Sequence, residues 1–509
     1  MAAAASTASS RLLHPSIPFY VVAGFLANSL FLHQNLLEFA HLGAIFLVFV
    51  LGLRLEPSRL SSVAKDGLGA SVSLASVCGI IGFTASAQVF NTLNAVYIGF
   101  ASALSSSIIG LDMVERDLDI DLLHGRLAES VQLFQDVIAI MGIIAITGIS
   151  SPQPLVAAAQ GIGILTVAAF IRSHVIGIVA ETMEQSRELT LLTTIGVLSL
   201  FIGASEIANL PTAVGAFAAG FSMAKFPYNE ESLETVSPLK DFFSAVFFVS
   251  LGSMISVPGY AAIIAAGTVL GLAIVLRPVL TAAILLEQGY DHRTSYLTGF
   301  SLDQVSELAL VLSIQTFVSG TMSQPVFEGI VLAAVASMTI SSYSTRHRER
   351  IVEAMKMLGI DEKRSLEPVD AEGHTLLAGY AQQGRMIAEE LDEIVLIEND
   401  PEKVTEARQN GIKTVFGDAL EKETWRAANA EKASAVISTV PDRKVSERAI
   451  EHSRAERTFL RAGDIAEAKE FMDRGAAFAE VSEITAARRL SHHIRRSMED
   501  ENYPEELRR

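Results

Sequence analysis

From residue 18 to residue 343 the chain is a succession of apolar runs separated by short polar or small-residue connections. A helix needs about 17–25 apolar residues to cross a bilayer. Twelve candidates follow one another, at 18–31, 36–53, 68–90, 94–110, 127–149, 155–178, 190–208, 211–224, 242–256, 259–286, 297–319 and 326–343. Beyond Thr345 the period changes. Short apolar stretches, HTLLAGY, EIVLIEND, KTVFGDA, ASAVISTV, RTFLRAG and AAFAEVSE, alternate with helical segments, which predicts βαβ units and a parallel sheet. The expected organisation is a polytopic α-helical membrane domain over 1–345, a charged linker over 346–372 and a cytosolic α/β domain over 373–509.

Composition sharpens this division. Half of the 509 residues are hydrophobic and the mean hydropathy is +0.38. Up to Thr345 there are only 12 of the 39 Lys and Arg and 23 of the 57 Asp and Glu. Their placement is one-sided. If the cluster Arg346, Arg348 and Arg350 is cytoplasmic, twelve spans put the N-terminus inside as well. Arg11, Arg54, Arg59, Lys65, Arg116, Arg126, Arg187, Lys225, Lys240 and Arg293 then fall on the inner side, and the outer connections HQN, NTL, SSPQP and SGTMSQP carry no Lys or Arg. The net charge of −18 argues against a nucleic-acid partner, which needs a basic face. Cys78 is the single cysteine, so an intramolecular disulfide and a Cys-based metal cage are excluded. No tightly bound metal is expected.

Charges inside the spans are the chemical signal. A charged side chain at the bilayer centre costs roughly 2.5–3.5 kcal/mol on insertion scales and faces a bundle interior or a water path. Asp136 lies beside Gln135 in the fifth span, Arg277 precedes Pro278 in the tenth, and Asp303, Gln304 and Glu307 lie in the eleventh. The fourth span carries Ser105, Ser106 and Ser107 in a row, and hydroxyls compete for backbone hydrogen bonds. Helices broken at membrane depth, paired in equivalent places, point to a transport site between inverted repeats. Spans three to five and ten to twelve are the candidate halves. Carboxylates with one buried cation suit transport of protons and metal cations.

The stretches LGAIFLVFVLGLRLEPSRL, GFASALSSSIIG, LFQDVIAI, PTAVGAFAAGFSMA, FFSAVFFVSLGSMIS and GFSLDQVSELALVL resemble, in order and spacing, those of Kef-type monovalent cation:proton antiporters. These are similar in architecture to bacterial sodium/proton antiporters. The resemblance implies an inverted-repeat fold with crossing broken helices, exchange of K⁺ or Na⁺ for H⁺, and a homodimer in the plasma membrane with both termini cytoplasmic. It implies that Asp136 binds cation and proton alternately, with Gln135 as its polar neighbour. Ser106 and Ser107 line the first crossing helix, Gln304 and Glu307 belong to the second, and Arg277 stands where many relatives have a lysine. A guanidinium stays protonated and cannot carry a proton, so Arg277 is expected to pair with Asp136 in the empty site. Two further departures are a first helix that relatives have before HPSIPFYVVAGFLANSLF, and Arg54 where relatives carry an acid.

In the tail, AGYAQQGRMIAEEL puts Gly379, Ala381 and Gly384 at the three glycine places of a dinucleotide fingerprint. Glu398 ends the second strand, where a carboxylate can accept from ribose hydroxyls. This segment, with Asp418 in GDA, resembles the TrkA-type (RCK-like) Rossmann-like domain of potassium channels and Kef-type antiporters. It implies an adenine nucleotide, AMP, ATP, NAD or NADH, as the ligand. Ala381 replaces the glycine that admits the pyrophosphate. The expected function is regulated cation:proton antiport, by a transporter and not an enzyme. The alternative is a ligand-gated potassium efflux channel, which calls for a filter resembling TVGYG, and the membrane part has none.

Overall fold

The computed structural model describes residues 16–31, 36–55, 63–106, 122–149, 153–177, 187–225, 228–357, 368–452 and 457–499. The chain divides into two compact units, a helical one of 1–120, 124–288 and 294–354 and an α/β one of 355–509 together with 121–123 and 289–293.

Over the described residues, the apolar runs of the first unit form helices. The early ones are α1 (Ser16–Phe31), α2 (Leu36–Leu53), α3 (Ala64–Ser86), α4 (Thr92–Ala103), α5 (Leu123–Ile149) and α6 (Pro154–Phe170, continued by a π turn, Ile171–Val175). Then come α7 (Arg187–Ile207), α8 (Thr212–Met223), α9 (Tyr228–Ser253), α10 (Tyr260–Gly271), a π turn (Leu272–Leu276) and α11 (Arg277–Gln288). The unit closes with α12 (His292–Phe300), α13 (Glu307–Val318) and α14 (Gln324–Met357). Counting α10–α11 and α12–α13 as one pass each, the described residues trace twelve passes. Among the described residues, six helices are long and apolar enough to cross a membrane by length and composition alone.

Lipid offers little hydrophobic drive between helices, so close packing relies on small residues. Gly24 of α1 and Gly252 of α9 face each other so tightly that a Cβ on either would lie 2.0 Å from the partner helix's backbone oxygen, at Val249 and Val21. Gly52 of α2 and Gly220 of α8 repeat the device, with distances of 2.4 Å to the Phe217 oxygen and 2.0 Å to the Phe49 oxygen. These crossings knit α1, α2, α8 and α9 together around a core that includes Leu47, Phe49, Leu53, Phe217, Phe247 and Leu251.

Six of the passes repeat one order twice: a long helix, one that stops short, a long one. In the first half α3 leads to α4, which stops at Ala103. Leu104 takes up extended backbone (φ −116°, ψ 140°), and α5 follows. In the second half α10–α11 leads to α12, which stops at Phe300; Ser306 then caps α13 and α14 follows. The serine-rich stretch thus ends α4, and the Asp-Gln-rich stretch separates α12 from α13. Ser107 lies outside the described residues.

The second unit is a six-stranded parallel sheet in the order β3-β2-β1-β4-β5-β6. Its strands are β1 (Thr375–Ala378), β2 (Ile394–Glu398), β3 (Lys413–Phe416), β4 (Ala435–Ser438), β5 (Thr458–Arg461) and β6 (Phe478–Glu480), one for each stretch expected from the sequence. Helices α15 (Gln382–Glu390), α16 (Pro401–Gln409), α17 (Lys422–Ala427), α18 (Arg443–His452) and α19 (Ile465–Asp473) link them, and α20 (Ser482–Glu499) ends the described chain. One face of the sheet buries Leu376, Val395, Val436 and Leu460 against Trp425 and Phe471. The other buries Leu377 and Leu396 against Ala407. The strand order reverses between β1 and β4, the switch point at which open α/β sheets bind ligands.

Candidate functional site

Breaking a helix inside an apolar bundle leaves terminal carbonyls without partners, and every buried backbone oxygen needs a donor. Here the donors are side chains from neighbouring helices. Arg277, fully buried at the start of α11, donates from Nη1 to the carbonyls of Leu302 (3.0 Å) and Gln304 (2.6 Å) and from Nη2 to that of Ser102 (2.8 Å). One guanidinium thus joins the end of α4 to the gap after α12. The sequence suggested an ion pair with Asp136. The hydrogen bonds from Nη1 and Nη2 of Arg277 go to these carbonyls instead, because a half-helix C-terminus concentrates negative dipole.

Asp136 sits on α5 and is 4 % exposed. The same helix face reaches the breaks. Gln135 accepts at Oε1 from the backbone N–H (2.8 Å) and hydroxyl (2.6 Å) of Ser105. Gln132, one turn earlier, donates from Nε2 to the carbonyls of Ser106 (3.0 Å) and Ser301 (3.4 Å). Across the breaks, the Ser106 hydroxyl donates to Oε1 of Glu307, the buried first residue of α13. Gln132, Gln135, Ser105, Ser106, Arg277, Gln304 and Glu307 therefore belong to one polar cluster inside one unit, and Asp136 lies buried on the helix that carries Gln132 and Gln135.

The sequence reading missed the serine stripe of α14. Ser337, Ser341 and Ser344 recur at helical spacing and meet the second break. The Ser337 hydroxyl accepts from the N–H of Val305 (3.1 Å), Ser341 Oγ from Gln304 Nε2 (2.7 Å), and Ser344 donates to Asp303 Oδ2 (2.8 Å). A hydroxyl repeat on one face of an apolar helix is a detectable signal, and it lay unused. Gln132 had no such signal, being a neutral amide in a run already marked by Gln135 and Asp136.

In the tail the glycine-rich turn joins β1 to α15. Gly379 adopts φ +96°, open to glycine at little cost, and a Cβ on Gly384 would lie 2.1 Å from the Gly379 oxygen. Close helix–strand packing is the role of the third glycine in such turns. Ala381 is the N-cap of α15 and contributes no side-chain cap. Glu398 is turned inward. Its Oε2 accepts from the N–H of Tyr380 (2.7 Å) and its Oε1 from those of Asn399 (2.9 Å) and Asp400 (3.0 Å). It thus fixes the turn before any ribose arrives. Asp418, 7 % exposed, accepts at Oδ1 from the N–H of Leu420 (2.8 Å). Thr439, after β4, reaches across the switch point to the carbonyls of Ala378 and Gly379 (3.2 Å each).

Comparison with known proteins agrees with both units. The model of the sodium/hydrogen exchanger transmembrane family matches residues 1–347, and that of the TrkA-N domain matches residues 375–481. The chain is 26 % identical over 462 residues to the putative cation/proton antiporter YbaL of Escherichia coli, spanning 83 % of this chain and 82 % of that one. It is 25 % identical over 466 residues to the glutathione-regulated potassium-efflux system protein KefC of Salmonella schwarzengrund, spanning 85 % and 72 %. Among solved structures, the sodium proton antiporter MjNhaP1 from Methanocaldococcus jannaschii shares the fold of the helical unit, with a TM-score of 0.53 at 14 % identity over 69 % of this chain and 95 % of that chain.

Proposed function

The chain belongs to the sodium/hydrogen exchanger family and carries a TrkA-N domain, and from that premise we propose that it exchanges K⁺ or Na⁺ for H⁺ at Asp136 under control of a nucleotide bound to its tail. The observation that carries this reading is a buried carboxylate on the helix whose Gln132 and Gln135 hydrogen-bond both helix breaks. Burial disfavours a charged carboxylate, and a bound cation favours it. Protonation and cation loading therefore compete at one group. The bare charged carboxylate is the costly state, so the site crosses between its two openings only when loaded, which makes exchange obligatory.

The other members of the cluster have supporting roles. Break carbonyls and the hydroxyl of Ser106 supply neutral oxygens for the cation. Arg277 holds the two breaks together as a permanent charge that carries no proton. Glu307 is anchored by Ser106 and stands in the first turn of the second half-helix, at its positive end. With Asp136 as the one exchanging carboxylate, transport is one-for-one and electroneutral. The protein is a plasma-membrane homodimer whose exchange domain spans 1–345, joined by a linker, 346–372, to a regulatory domain, 373–509.

For the tail, Gly379 and Gly384 shape a turn in front of the α15 N-terminus, whose orphan N–H groups favour a phosphate. Glu398 and Asp418 sit at the ends of β2 and β3 on the same edge. The residues fit an adenine nucleotide, and the methyl of Ala381 favours a mononucleotide over a dinucleotide. Regulation requires that the nucleotide bind active and inactive states with different affinity. Titration calorimetry of the whole purified chain with AMP, ATP, NAD⁺ and NADH should give heat with at least one; silence with all four leaves the tail a structural role.

The test of the transport reading is Asp136→Asn in proteoliposomes. The variant should insert and elute like the native protein and lose cation-gradient-driven acidification. Acidification at the native rate would refute the assignment and move the search to Asp303 and Glu307.

A further inference from the structure

We propose that Gln132 is a positioning residue that fastens the helix of Asp136 to both helix breaks and so sets the geometry of the cation site. The inference rests on the assignment of cation binding to Asp136. Gln132 is 1 % exposed and lies four residues, one turn, before Asp136 on α5, so both side chains share a helix face. Its two amide hydrogens are divided between carbonyls of different breaks, Ser106 at 3.0 Å and Ser301 at 3.4 Å. The orientation of the amide follows from its partners, since the opposite one would set its oxygen against two acceptors.

The division has a consequence for binding. A carbonyl oxygen has two lone pairs, so each carbonyl can accept from Gln132 and still direct the other pair at a cation. Arg277 also spans the breaks, but from α11, a different helix from the one that carries Asp136. Gln135 reaches the first break through Ser105. Among the described hydrogen bonds, Gln132 is the side chain of α5 that holds both breaks. A binding constellation must keep its groups within ~0.5 Å of the productive geometry. One amide shared by both breaks, on the helix of the carboxylate, fixes the three oxygen sources against one another.

The experiment uses the whole chain in detergent and reads cation affinity from thermal stabilisation by LiCl, NaCl, KCl and RbCl at constant ionic strength, from pH 6 to pH 9. Loss of a group that orients a cation ligand weakens binding about 10–100-fold, and Gln132→Ala should fall in that range. Gln132→Glu is nearly isosteric and covers the case in which the alanine variant fails to fold. Its carboxylate repels the two carbonyls at high pH, whereas its protonated form can donate to one. Cation affinity of Gln132→Glu should therefore improve on acidification, while that of the native protein weakens as protons compete at Asp136. Opposite slopes are not expected of a side chain that only fills space. Native affinity in Gln132→Ala, a native slope in Gln132→Glu, or a native protein stabilised by none of the four cations overturns the proposal. The same preparations in proteoliposomes separate the two readings: if the slopes are as stated but the native protein does not couple cation to proton flux, antiport fails and the positioning role stands.

Discussion

At the residue scale, the interactions with most at stake are those that leave a buried group stranded when removed. Arg277 is the clearest case in the helical unit. Arg277→Ala deprives three buried carbonyls of their donor, at about 1–3 kcal/mol each, whereas Arg277→Lys keeps the charge and part of the hydrogen bonding. The alanine variant should show much the larger fall in thermal midpoint of the detergent-purified chain, and equal midpoints for the two would contradict the carbonyl-bridging role. His374 offers a pH-dependent counterpart in the tail. It is buried, its Nε2 lies 3.1 Å from the Ala428 oxygen, and burial holds its pKa below the usual 6.5. The folded tail then binds fewer protons than the unfolded one below that value, so its stability is complete above about pH 6.5 and declines on acidification. Trp425, the only tryptophan of the chain, is 1 % exposed in the tail core. Its fluorescence should give a lower denaturant midpoint at pH 5.5 than at pH 7.5, and His374→Gln should narrow the gap.

At the element scale, the packing of whole helices depends on the four crossing glycines. The α2–α8 crossing admits no Cβ at Gly220 without separating the axes, since the oxygen of Phe49 stands 2.0 Å from where it would be. Overpacking of this kind typically costs about 1–3 kcal/mol. Gly220→Val should lower the thermal midpoint and the yield of inserted protein, while Gly196→Val, with nothing within 4 Å of its Cβ position, should change either little. Equal effects at both positions would mean that helix propensity, and not close approach, decides. The interrupted elements follow the opposite logic. α4 and α12–α13 sacrifice internal hydrogen bonds, and these are recovered from Gln132, Gln135, Arg277 and the serines of α14. Broken helices are tolerable in a bilayer only because neighbours re-satisfy the backbone.

At the scale of the whole molecule, the one-sided distribution of Lys and Arg and the twelve passes support the proposed topology with both termini in the cytoplasm. Cys78 is buried and the only cysteine, so a Cys78→Ser background is free of thiols. Gln153→Cys and Lys225→Cys, introduced singly there, should label from opposite faces of sealed vesicles with a charged maleimide. Labelling of both from one face would overturn the topology. The same twelve passes place the two interrupted ones, which contain α4 and α12–α13, in equivalent positions of the two three-element halves. That is the arrangement in which one site can open to either side of a membrane.

The sequence by itself determined the elements and the chemical candidates. Apolar runs specify membrane helices because lipid leaves the backbone no other partner, and alternation in the tail specified all six strands of the sheet. Asp136, Glu307 and Arg277 were legible for the same reason: a charge inside an apolar run stands out by its cost. Only the tertiary structure decided which groups meet. It gave Arg277 to the carbonyls of Ser102, Leu302 and Gln304, joined Ser106 to Glu307, and set Glu398 to holding its own turn. It also brought forward Gln132 and the serines of α14, neutral side chains whose cost in an apolar run is too small to mark them. Burial is a property each residue carries in its own hydropathy, whereas a hydrogen bond between residues far apart in sequence exists only once the breaks of the two half-helices have been packed together.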